Sequence, residues 1–456
     1  MKTLSFLLAI ASFALTSASL ATAQNQTTPN PTTPGRTIAR LFWQDDSQAT
    51  LRWGDLKKSS TGWSLQPQST PGFPSLDQAE QSLAQMQTDA SLVLVGVHDH
   101  ADGSLGSGWV AIESGVVEEP HGDHSHWRFT QSPKLLRSQI DTEQGNPAHV
   151  YRYGASFVLA NDKKNGFTVT SAARLRSAPA STSASTFYSG GNGHITLAMV
   201  DDRVAYATWI AAEGEDCGRV DVVGVGSNHG KGYSIACPSG RLHGATANSG
   251  KVFFAPADGV CWVEADRDLN MAPESVSIHH LSLGTDQNAA PLRTGAFNNF
   301  GSWVLFTAGK GEAAKLCLLD AAHRSPTVNE LPIELDAGET LARPMAFRTR
   351  GGKSLAVMFR ENRQTPENDT LLVVDLDPNA DGKATDLALA KSIAIGRNQI
   401  AGHGGHHAAA VLPGGRELVI SNPADASLSV ISLGDLSVVA TIPVEGTPTR
   451  LVAIGG

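Results

Sequence analysis

His194-Ile-Thr-Leu-Ala198 and His243-Gly-Ala-Thr-Ala247 begin 49 residues apart, and each is a polar residue opening an apolar run that ends on a turn, Asp201-Asp202 in one case and Asn248-Ser249-Gly250 in the other. The phrase recurs at His149-Val-Tyr-Arg-Tyr153, Arg293-Thr-Gly-Ala-Phe297, Arg343-Pro-Met-Ala-Phe347, His406-His-Ala-Ala-Ala410 and Arg450-Leu-Val-Ala-Ile454. Successive spacings along the chain are 45, 49, 50, 50, 63 and 44 residues. A period of about 40 to 50 residues with about four strands per unit is the mark of a β-propeller. Further turns, Arg350-Gly-Gly352 and Pro413-Gly-Gly415, fall where the first hairpin of a blade reverses.

The last unit, Thr449 to Gly456, has room for one strand only. Strands near Thr37 to Trp43, Ala49 to Trp53 and Gly62 to Gln66 complete that blade from the other end of the chain, so the N- and C-terminal strands share one blade and no sheet edge is left open. A further blade over Leu76 to Pro133 brings the ring to eight; seven is the alternative if residues 149 to 190 do not form a blade of their own. The reading is therefore an all-β chain with a single propeller domain over residues 36–456, large for one core but normal for a radial repeat. Only Leu76 to Met86, capped by Ser75, has helical spacing.

Ahead of the repeat, residues 1–23 read as a secretory signal: Lys2, an apolar run from Phe6 to Leu15, and Ala21-Thr22-Ala23 as the cleavage pattern. Residues 24–35 are polar and Pro-rich, a disordered linker. The expectation is an exported, periplasmic monomer. No later run reaches the roughly 18 apolar residues of a membrane helix, so no membrane insertion is expected. A net charge of −9 argues against nucleic acid, which needs a basic face. The four cysteines, Cys217, Cys237, Cys261 and Cys317, are even in number in an exported chain, so disulfides are expected. Cys237 with Cys261 is the favoured pair because each lies in a strand-like run, with Cys217 to Cys237 across a hairpin as the rival.

In a propeller the innermost strands line the channel and all start from one face. His149, His194, His243 and His406 then converge at the channel mouth although distant in sequence, and with three or four nitrogen donors they suit a transition metal, zinc foremost. Arg293 and Arg343, in the same register, suit an anion or a carboxylate. The densest ligand cluster lies elsewhere, in Glu118-Glu119-Pro120-His121-Gly122-Asp123-His124-Ser125-His126, where His121, Asp123, His124 and His126 are spaced for shared coordination. This stretch lies between a third strand, Trp109 to Gly115, and a fourth, His126 to Thr130, which puts it on the face opposite the mouth and points to two metal sites. His98-Asp99-His100 is a looser cluster just upstream. Asp377-Pro-Asn379-Ala-Asp381-Gly382 copies half a calcium loop, but Ala388 stands where the bidentate Glu belongs, so it reads as a turn. No Asp or Glu occupies the aligned channel positions, which disfavours a metal-dependent hydrolase or lactonase needing a general base. Imidazole capture of zinc should weaken below about pH 6, as histidine protonates.

The acidic lead into His121-Gly-Asp-His124, the segment from Cys237 to His243-Gly244 with Asp258-Gly-Val-Cys261, and the ending Ile420-Ser-Asn-Pro423 through Gly446-Thr-Pro448 to Ile454-Gly-Gly456 resemble the AztD-type periplasmic zinc metallochaperones. The closing patch is also similar to YVTN-type interaction propellers. The AztD resemblance implies a non-enzymatic β-propeller that carries zinc to the solute-binding protein of a zinc ABC importer. It makes His121, Asp123 and His124 residues of a zinc loop, His243 and His406 ligands, and Cys237 with Cys261 a disulfide. The His-rich N-terminal tail of that family has no match in residues 24–35, which contain no His.

Overall fold

Alternate residues of a strand face opposite ways, so a strand sandwiched between two sheets must be apolar on both sides. Leu92 to Val97 is such a strand, with every side chain buried. In Arg36–Asp45, Leu41 and Trp43 pack into one neighbouring blade while Phe42 packs into the other. Repeated around the molecule, this alternation produces eight hydrophobic clusters, one in each seam between adjacent blades.

The computed structural model describes residues 35–101, 104–122, 124–179, 182–402 and 404–455. The expected signal, all of the linker but Gly35, and Asp123 lie outside the described residues. Eight antiparallel sheets form a β-propeller. Blade 1 is built from Gln81–Asp89, Leu92–Asp99, Ser107–Glu113 and Lys134–Asp141, innermost strand first. The innermost strands of blades 2 to 7 begin at Pro147, Leu197, Ala245, Asn298, Glu339 and Ala409. Blade 8 joins the two ends of the propeller: Pro448–Ile454 is innermost and pairs antiparallel with Arg36–Asp45, followed by Thr50–Ser59 and Gly62–Ser64. The expected sharing of one blade by N- and C-terminal strands is therefore observed.

The first hairpins turn where the sequence placed them. Asp201 and Asp202 both have positive φ, as do Ser249 and Gly250, the geometry of a tight turn that follows sheet twist. At the seam of ring closure, a Cβ on Gly446 would overlap the Asp45 carboxylate, which accepts from the Thr447 amide at 3.0 Å, so only glycine fits there.

Two sequence expectations in blade 1 are corrected. Leu76 to Met86 is not a helix: a turn is followed by the strand Gln81–Asp89. Its register shifts between Leu83, opposite Val97, and Met86, opposite Val95, so two residues three apart face the same side. This bulge imitates helical spacing in the sequence. The fourth strand is Lys134–Asp141 rather than His126 to Thr130. The residues in between form a separate two-stranded hairpin, Val117–His121 with His124–Arg128, outside the blade.

The expected disulfide is likewise not formed. All four cysteines are free thiols, although Cys237 and Cys261 meet in a hydrogen bond that, with burial, pushes the Cys237 thiol well up. No helix among the described residues is long and apolar enough to cross a membrane.

Candidate metal centre at the channel mouth

The start of each innermost strand and the turn from second to third strand lie on the same face of an antiparallel blade. A cavity of about 810 Å³ opens there, lined by His149, His194 and His243 from blades 2, 3 and 4, by His406 ahead of blade 7, by Arg450 of blade 8, and by His98 and His100 at the end of the second strand of blade 1. The strand register thus gathers the four imidazoles expected at the mouth.

Three of them form a contiguous group on neighbouring blades. His149 Nε2 lies 2.9 Å from His194 Nε2. The rings of His194 and His243 are 4.9 Å apart, centroid to centroid. The proton positions follow from the partners. Gln85 Oε1 accepts from the Val150 amide at 3.2 Å, so its amide nitrogen donates to His149 Nδ1, also at 3.2 Å. His149 Nε2–H then donates to His194 Nε2, and His194 Nδ1–H donates to Asp162 Oδ2 at 2.8 Å. Asp162 also accepts the Ile195 amide at 3.0 Å, which fixes it beneath the ring. A carboxylate holding one imidazole nitrogen leaves the other presented as a lone pair, the arrangement that orients histidine for a metal. His243 donates from Nδ1 to the Gly295 carbonyl at 3.4 Å and exposes Nε2 in the same way.

Burial is the main cause that lowers His149 to about 3, with His194, His243, Arg343 and Arg450 adding to it. Burial also lowers His243, assisted by His194. In both rings burial favours the neutral, ligand-competent form. As the cluster stands, it is closed on itself: among the described residues no three His, Cys, Asp or Glu side chains converge in a geometry that holds a metal ion. Two nitrogens on a tetrahedral zinc sit about 3.3 Å apart, given bonds of about 2.0 to 2.1 Å. The 2.9 Å hydrogen bond between His149 and His194 is shorter than that, so the pair must open slightly and His149 must change tautomer to share an ion.

His406 shares the cavity but reaches it from the other arc of the ring, with its Nδ1 held by Glu361 at 2.7 Å. Its neighbour His407 faces the core, where the Ser421 carbonyl and Asp369 occupy both nitrogens. The carboxylates that support the site were not foreseen: Asp162 and Asp46 sit in the turns that follow second strands, and Glu361 near the end of one. A usable signal existed in the buried Asp or Asn that recurs at the ends of second strands, as Asp45, Asp99, Asn161, Asn362 and Asn422.

The hairpin histidines do not join this group. Val116 and Phe129, flanking the hairpin, pack at Gly455 beyond the end of the innermost strand of blade 8, which is the face away from the mouth. On the hairpin, His121 lies opposite His124 in register and its ring meets that of His126 edge-on at 5.2 Å. The half calcium loop is a turn: Asp377 accepts the amides of Asp381 and Gly382, and Asp381 that of Lys383.

No protein-family model matches the chain, and no curated protein matches it in sequence. Among solved structures, two of AztD from Citrobacter koseri, one described as apo, are similar with TM-scores of 0.61 and 0.58 at 16% and 18% identity, each match covering 92% of this chain and 99% of the other. A Bacteroides uniformis protein assigned as a 6-phosphogluconolactonase is similar with a TM-score of 0.50 at 13% identity, over 92% of this chain and 100% of the other. At such identities the likeness is one of architecture, and the β-propeller is what this chain has in common with both proteins.

Proposed function

We propose that the protein is a non-enzymatic zinc carrier of the periplasm, which holds Zn²⁺ at the channel mouth and passes it to the solute-binding protein of a zinc ABC importer. The observation that carries this reading is the His149, His194, His243 group: three imidazoles on adjacent blades, one braced by a carboxylate, lining one cavity of about 810 Å³. Slight opening of the His149–His194 bond exchanges a hydrogen bond for two metal bonds, a reversible step that suits a carrier better than a permanent structural site. His406 contributes from the facing arc. His121, Asp123, His124 and His126 form a second, capturing site on the hairpin. The AztD-like architecture supports the reading at the level of fold.

Equilibrium dialysis against zinc with elemental analysis tests this. The wild type is expected to retain zinc, His149→Ala and His194→Ala each to lose the mouth ion, and loaded protein to surrender zinc to a purified receptor. Unchanged stoichiometry in both variants would remove the mouth site from the scheme.

A hydrolase is the second reading, favoured by one observation: Asp46, Asp162 and Glu361 bring carboxylates to the mouth from positions outside the aligned register. Asp162 and Glu361 are engaged with imidazoles, as orienting groups are. Hydrolysis of a lactone panel by zinc-loaded protein would favour the second reading over the first.

A further inference from the structure

Arg343 and Arg450 are charged side chains at the channel that metal carriage leaves unused. Arg343 lies in the break between Glu339–Leu341 and Met345–Arg348, the innermost segments of blade 6, and Arg450 within Pro448–Ile454 of blade 8; in an eight-membered ring these blades lie across the channel from blades 2 and 4, the blades of His149 and His243. Several other arginines are held by carboxylates or carbonyls. Arg40 is held by Asp55 and by the carbonyls of Ser114 and Gln131, Arg219 by Asp216 and Asp221, and Arg397 by Asp425. Among the described residues, neither Arg343 nor Arg450 makes a hydrogen bond or an ion pair.

The carboxylates nearest Arg450 are committed elsewhere. Glu361 accepts from His406 and from the His407 amide, and Asp46 accepts the Thr449 hydroxyl. The phenols of Tyr151 and Tyr153 act on Arg343, and Arg343 acts in turn on Arg450 and His149. Tyr153 spends its hydroxyl on the Leu197 carbonyl. Burial lowers both guanidiniums, Arg343 lowers Arg450 further, and Asp46 and Glu361 act on Arg450 in the opposite sense, so the two guanidiniums lie within electrostatic reach of each other. Arg343 nevertheless keeps solvent-accessible surface, which places it on the wetted wall of the channel. A guanidinium with no hydrogen-bond partner of its own on that wall leaves its planar fork open, and the fork is matched by the paired oxygens of a carboxylate or a phosphate.

We propose that Arg343 and Arg450 bind a small oxyanion, a phosphate or a carboxylate, on the channel wall facing the imidazole group. The site stands independently of zinc. If the zinc reading also holds, each ligand strengthens binding of the other by the same factor, because the anion offsets the charge of a dication brought close to two arginines.

Isothermal titration of metal-free protein with inorganic phosphate and, separately, with citrate, in a chloride buffer free of other oxyanions, tests the proposal without reference to zinc. Saturable binding of at least one anion is expected. Arg343→Gln and Arg450→Gln should each weaken it tenfold or more, while Arg293→Gln, whose side chain donates to the Arg241 carbonyl in the same register, should leave it unchanged. Absence of saturable heat with both anions overturns the proposal, as do Gln variants that keep the native circular dichroism and bind like the wild type. Should a variant fail to fold, the thermal midpoint of the wild type decides: it should rise with the bound anion above its value in chloride of equal ionic strength, and no rise overturns the site.

Discussion

At the scale of single residues, Asp162 decides how the mouth works, because it fixes which nitrogen of His194 carries the proton. Asp162→Asn should weaken zinc binding by about 10- to 100-fold, the usual cost of losing such a partner, measured by competition with a chromogenic chelator. His149 supplies a pH signature. In the unfolded chain its imidazole protonates below the ordinary value of about 6.5, whereas in the folded protein burial and the neighbouring imidazoles hold it neutral down to about 3. The unfolded state takes up the proton first, so stability present above pH 6.5 is lost as pH falls toward 3, by at most ~1.4 kcal/mol per pH unit. The thermal midpoint of the metal-free protein should fall across that window, less steeply in His149→Gln; an identical slope would mean that His149 protonates as freely as in solvent. The histidines were legible in the sequence because they occupy one register of a repeat. Asp162 was not, because equivalent turns read Asp46-Ser-Gln48, Asp162-Lys-Lys164 and Pro423-Ala-Asp425, which share a position but carry Asp at its start in only two of the three.

Among the elements, the hairpin Val117–His121 with His124–Arg128 is the part that departs from the repeat, and it lies on the face away from the mouth. Deleting residues 121–126 should lower zinc stoichiometry without abolishing it, read by dialysis and elemental analysis; complete loss would refute two separate sites. The strand-to-hairpin connections are pinned by Arg40, whose guanidinium joins Asp55 of blade 8 to the carbonyls of Ser114 and Gln131 on either side of the hairpin. Arg40→Met should cost about 3 kcal/mol or more in chemical denaturation, since it strands a carboxylate and two carbonyls. The sequence misplaced the fourth strand of blade 1 because His124–Arg128 has the alternation of a strand and is one, paired to its own hairpin rather than to the blade. Helical spacing over Leu76 to Met86 misled for a related reason: pattern reading assumes regular pleating, and one bulge breaks it.

At the scale of the whole molecule, eight seams of apolar packing make a closed ring whose only covalent gap lies within blade 8, between Pro448–Ile454 and Arg36–Asp45. Removing residues 36–64 leaves that blade with one strand and an open edge, and should turn a cooperative, monodisperse protein into one that aggregates on size-exclusion chromatography. This architecture was the most legible feature of the chain, because a spacing near 50 residues, turn chemistry and an orphan last strand all point to one solution. What the ring does for function is to bring side chains 45 and 49 residues apart in sequence into one group at the mouth. Anomalous diffraction at the zinc edge from zinc-soaked crystals tests that claim most directly. The expected result is a peak bounded by the Nε2 atoms of His149, His194 and His243, with the first two moved apart to admit the ion; a map with zinc only on the 117–128 hairpin, or with none, would contradict it.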